Sequence, residues 1–61
     1  MDPKFLAELR ARLAEAEKRA KEAREFISKA IEAGVDVSEQ ERALAELEAS
    51  ISRMKRVYGI G

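Results

Sequence analysis

From Leu6 to Tyr58 the apolar side chains of this chain advance in alternating steps of three and four, and the pattern is interrupted once. Leu6, Leu9, Leu13, Ala16, Ala20, Ala23, Ile27 and Ala30 follow the rule in the first part. Leu44, Leu47, Ile51, Met54 and Tyr58 follow it in the second, with Gln40 one step earlier. On a helix of about 3.6 residues per turn this spacing draws one apolar stripe along one face, the signature of a heptad seam. Leu6 and Leu44 then stand at position a, and Leu9 and Leu47 at position d. No strand, whose faces alternate every second residue, accommodates such a pattern.

The interruption, IEAGVDVSEQE over residues 31–41, is a stop followed by a start. Gly34 suits the left-handed residue that ends a helix, and Val35 behind it is placed to pack back on the last turn. Ser38 and Glu41 have the spacing of a capping box: the Ser38 hydroxyl would accept the N–H of Glu41, and the Glu41 carboxylate the N–H of Ser38. Val37, just before, would act as the hydrophobic staple. At the other ends, Asp2-Pro3 is an N-cap followed by the favoured first helical residue. Gly59 stops the second helix, and Ile60 closes that turn. The sequence therefore predicts an all-α fold, an antiparallel helical hairpin with helices over roughly 3–33 and 39–58, the whole of residues 1–61 forming one module.

A single hairpin of this size is poorly supplied with stabilising devices. Below about 70 residues a chain needs disulfides, a metal, association or very regular helix packing. With no Cys and no His, the first two are excluded in their usual forms, and no cofactor is implied. Charged residues make up 39% of the chain, Asn is absent and Gln40 is the sole Gln, which is the composition of thermostable and of idealised helices.

Half of the first helix's seam is Ala, facing Leu, Ile and Met on the second. Small against large lets the axes approach toward the close end of the usual range of about 8–10 Å. Closing the loop places Ala30 beside Leu44, Ile27 beside Leu47 and Ala16 beside Tyr58. The e flank then matches Arg24 with Glu48 and Glu17 with Lys55. The opposite, g flank holds Phe26, Ala33, Ala43, Ser50 and Val57, a largely apolar row that a hairpin alone does not cover.

The off-centre break has a consequence. With Ala16 opposite Tyr58, residues 3–15 lack a partner on the second helix, and they carry Phe5, Leu6, Leu9 and Leu13. Each such side chain contributes about 1.5–3 kcal/mol when fully buried, so the four represent roughly 6–12 kcal/mol left ungained. A patch of this kind marks an interaction site. Phe5, Leu6, Leu9 and Leu13, with Phe26, Ala33, Ala43, Val57 and Ile60, are the candidate interface residues. Charge adds direction: residues 32–48 hold six acidic side chains and one basic, while folding brings Arg53, Lys55 and Arg56 beside Lys18, Arg19 and Lys21.

These features rank the functions. The leading expectation is a structural self-assembly module, a homo-oligomer built as a four-helix-bundle dimer or an open filament. The alternative is an adaptor hairpin whose overhang docks in a groove of a larger protein. Nucleic-acid binding through the basic group is disfavoured by the zero net charge, the interspersed Glu15, Glu17 and Glu22, and the absence of aromatic residues among the cations. Pairs such as Glu15–Arg19 and Lys18–Glu22 would instead make it a solvated face. No enzyme is expected, since His, Cys and Thr are absent and Ser28, Ser38, Ser50 and Ser52 have no base partner. Neither a membrane span nor a signal-peptide core is present in MDPKFLAELR or beyond, so the default compartment is the cytoplasm. The size and hairpin plan resemble the small dimeric four-helix bundles of the copy-control type and the hairpin subunits of secretion needles. No residue motif accompanies either resemblance, and no functional position is carried over.

Overall fold

Asp2 starts the fold as expected: its Oδ1 accepts the N–H of Lys4 at 3.0 Å, and Pro3 occupies the first helical turn. In a computed structural model, which describes residues 2–60, helix α1 spans Pro3–Glu32 and helix α2 spans Ser38–Tyr58. The two pack antiparallel in an elongated body of 47 × 15 × 14 Å, and the described residues contain no strand.

Gly34 ends α1 with φ +78°, a conformation open to Gly because it has no Cβ. The Val35 N–H donates to the Ala30 carbonyl at 2.9 Å and the Gly34 N–H to the Ile31 carbonyl at 3.0 Å, the paired bonds of a Schellman turn. Gly59 repeats the device at the end of α2, with φ +65° and the Ile60 N–H on the Lys55 carbonyl at 3.0 Å. Val35 departs from expectation. It stays 55% exposed, because the Ala30 methyl opposite it offers too little surface to cover it.

The capping box does not form. Ser38 is the first residue of α2, with Val37 as N-cap, and the Glu41 N–H bonds the Val37 carbonyl at 2.8 Å. The Ser38 N–H that Glu41 was expected to engage donates to Asp36 Oδ1 at 3.0 Å, and the Ser38 hydroxyl donates to the same oxygen. An Asp two residues upstream reaches this donor without ordering a long side chain, so the short-range bond wins. The Ser38 hydroxyl and N–H together hold the Asp36 carboxyl below its ordinary value. Val37, placed as a staple, is buried at the loop end of the seam.

The core is small: Leu13, Ala20, Ile27, Val37, Ile51 and Ile60. Leu13, Ala20, Ile51 and Ile60 form one cluster, against which Leu6, Leu9, Ala16, Leu44, Leu47 and Met54 pack half-buried. The expected overhang is thereby corrected in part. Gly59 turns the chain at the end of α2 and returns Ile60 across Leu13, which at 4% exposed is among the most buried residues of the molecule. Further out, the Phe5 and Tyr58 rings lie 6.2 Å apart in a tilted pair.

Candidate interaction surface

The two flanks of the seam differ in what closes them. On the e flank, Arg24 pairs with Glu48, and Lys55 Nζ lies 2.9 Å from Glu17 Oε1, the two cross-helix pairs the register predicts. Glu48 and Lys55 are half-buried, so their aliphatic stems lie along the seam while their charged ends meet each other and solvent. The shallow groove beneath them is lined by these charged groups with Ala20, Ile51 and Ser52.

On the g flank nothing equivalent exists. Phe26 is 64% exposed and Val57 67% exposed, Ala33 and Ala43 are exposed, and Ser50 is half-buried. Between Phe26 and α2 runs an open, almost wholly apolar groove of about 230 Å³, floored by Ile27, Leu44 and Leu47. The difference reaches into the seam. On α1 the a-position side chains Leu13, Ala20 and Ile27 are buried, whereas the d-position side chains Leu9, Ala16, Ala23 and Ala30, which border the g row, are half-buried. On α2 Ile51 at a is buried and the d-position residues Leu47 and Met54 are half-buried, as are the a-position residues Leu6 and Leu44 nearer the ends of the seam. Along the middle of the hairpin the core is covered more fully from the e side than from the g side.

The predicted interface residues therefore fall into three groups. Leu13 and Ile60 belong to the hairpin's own core and leave the candidate surface; Ile60 was expected to close the turn after Gly59, but periodicity did not show that the turn would lay it over Leu13. Leu6 and Leu9 are half-buried beside them, with Phe5 45% exposed. Phe26, Ala33, Ala43 and Val57 are exposed on one flank, as a continuous row. Outside the predicted set, Ile31 and Val35 are both more than half exposed at the loop end. Ile31 was legible as an apolar residue at an e position, where the same row otherwise holds Glu17 and Arg24.

The basic group is partly neutralised within the hairpin: Arg19 Nε lies 3.7 Å from Glu15 Oε1, and Lys55 is held by Glu17. The expected Lys18–Glu22 pair does not form among the described residues. No three acidic side chains among the described residues converge as metal ligands. No helix among them is long and apolar enough to cross a membrane. No family model matches the chain, and neither a curated protein nor a solved structure is significantly similar to it.

Proposed function

We propose that this hairpin is a structural self-assembly module: copies of the chain associate through the g flank into a larger helical bundle, and that association completes the core. The carrying observation is the uneven burial of the seam: its fully buried members Leu13, Ala20, Ile27 and Ile51 all stand at a positions, while every apolar d-position residue is half-open beneath an exposed row containing Phe26 and Val57. Six buried residues are a small core for a chain that has neither disulfide nor metal to add. Burying a second face supplies the missing apolar contact at no covalent cost.

Sedimentation equilibrium across micromolar concentrations tests this. A defined oligomer whose melting temperature rises with protein concentration is the expected result. A monomer with a cooperative, concentration-independent melt overturns it.

A docking role has one observation in its favour. Phe5, Leu6 and Leu9 remain incompletely covered at the end of α1 farthest from the loop, outside the main apolar row. If that end binds a larger protein, hydrogen exchange in residues 3–12 slows on adding the partner and is fast in the isolated oligomer. Slow exchange there without a partner counts against it.

A further inference from the structure

The g flank carries more than apolar surface, because its charges are arranged about one point. On α2 the row Ala43, Ser50, Val57 has Ser50 at its centre. The adjoining c-position residues are Glu46 on the loop side of Ser50 and Arg53 on the other. On α1 Phe26 stands between Ala33 on the loop side and Arg19 on the other, and its adjoining c-position residues are Lys29 and Glu22 in the same order. In the register that sets Ile27 beside Leu47, Phe26 stands level with Glu48 and Ser50 level with Arg24, so the two lie within two residues, about 3 Å, of one height along the hairpin. Rotating the flank by half a turn about an axis through this height exchanges acid for base on both helices. Glu46 then faces Arg53 of a second copy, Glu22 faces Lys29, and Val57 covers Ala43.

We infer that the occupant of the g flank is a second copy of this chain, in a closed two-fold dimer with its axis perpendicular to the helices near Phe26 and Ser50 and the two loops at opposite ends. This rests on the self-association proposed above and specifies its geometry. A two-fold axis along the helices would use the same apolar row but bring the two loop ends together. Residues 24–48 hold seven acidic and three basic side chains, a net of −4, and the rest of the chain holds five acidic and nine basic, a net of +4. Loops together oppose like ends; loops apart set each acidic end over a basic region. An isologous contact also closes on itself, so the dimer does not propagate into a filament. The start of α1, with Phe5, projects beyond the partner's loop and takes no part.

The chain lacks Cys, so single-cysteine variants report the geometry cleanly. Ser50→Cys places its thiol beside its mate on the axis, within reach of a short bis-maleimide. Ala43→Cys, seven residues away, leaves mates separated by about 20 Å along the helices. Efficient crosslinking of Ser50→Cys with none for Ala43→Cys is expected, in a protein that sediments as a dimer. A second measurement uses charge. Glu46→Arg sets like charges together twice per dimer and weakens association roughly tenfold, while the double swap Glu46→Arg/Arg53→Glu restores it. A dimer in which Ser50→Cys does not crosslink and the double swap gives no rescue overturns this geometry and leaves self-association standing. An open-ended polymer does the same. A monomer at every concentration overturns both.

Discussion

The e and g flanks border the same seam, yet one is closed and the other is not. The e row presents Glu17 and Arg24 to Lys55 and Glu48, long side chains that reach across the groove, meet, and shield the buried a-position residues beneath. The g row presents Phe26 and Val57 with small residues between them, and these neither span the groove nor pair. Exposed ion pairs contribute little energy, a few tenths of a kcal/mol each. Their effect here is geometric, since they fit the register that the short loop imposes and cover one side of the seam. The open side is where a further 1.5–3 kcal/mol per large apolar side chain remains to be gained by association. The e flank is closed by paired charges along most of its length, and the g flank leaves its apolar side chains to solvent.

The comparison breaks most visibly at Phe26. Phe26→Asp puts an unpaired charge in the proposed contact and is expected to weaken association by roughly a hundredfold or more while the circular dichroism spectrum stays helical. Sedimentation velocity checks it. An unchanged sedimentation coefficient would place the contact elsewhere.

The next effect concerns the turn that returns Ile60 over Leu13. Ile60→Ala uncovers a buried residue and is expected to destabilise the hairpin by about 2 kcal/mol, the low end for a large-to-small core change because the site is close to the surface. Denaturant unfolding at fixed protein concentration measures this. No change would mean that the C-terminal turn does not cover Leu13 in solution.

On the e flank the expected effects are smaller. A double-mutant cycle on Arg24→Ala and Glu48→Ala should give a coupling of about 0.2–1 kcal/mol that declines with added salt, with the oligomeric state unaltered. Loss of the oligomer in either single variant would show that the e flank, too, is a contact surface.

The smallest effect is at the loop. The Asp36 carboxyl, held below its ordinary value near 3.8 by Ser38, contributes stability that is fully present above that value and lost as pH falls through the lower folded one. The stability difference between the parent and Asp36→Ala should therefore be constant at neutral pH and shrink below about pH 3.8. A constant difference down to the acid limit would dissociate the carboxylate from the cap. Glu41→Ala should leave the start of α2 intact, because Asp36 and not Glu41 accepts the Ser38 N–H.

Much of this was readable in the residues. Asp2-Pro3, Gly34 and Gly59 bound the helices because caps and left-handed stops depend on a few adjacent residues. The register followed from a loop too short to allow another, and the Arg24–Glu48 and Glu17–Lys55 pairs came with it. The exposed row of Phe26, Ala33, Ala43 and Val57 followed from the same periodicity. Other features were not readable. Ser38 and Glu41 met the spacing of a capping box, but Asp36 competed for the same N–H, and spacing does not rank competitors. Leu13 read as unpartnered because its cover, Ile60, lies past the helix end, where periodicity says nothing.

The sequence by itself determined the two helices, their reversal, their register and the apolar faces they share, because each is a consequence of local backbone preference or of a 3.6-residue repeat. Only the tertiary structure decided which of those apolar residues the hairpin keeps for itself. It buries Leu13 under Ile60 and closes the e side with ion pairs, and it leaves Phe26 and Val57 in solvent. Burial is a competition among side chains brought together from distant parts of the chain, and a repeat pattern records the candidates without recording which of them are covered.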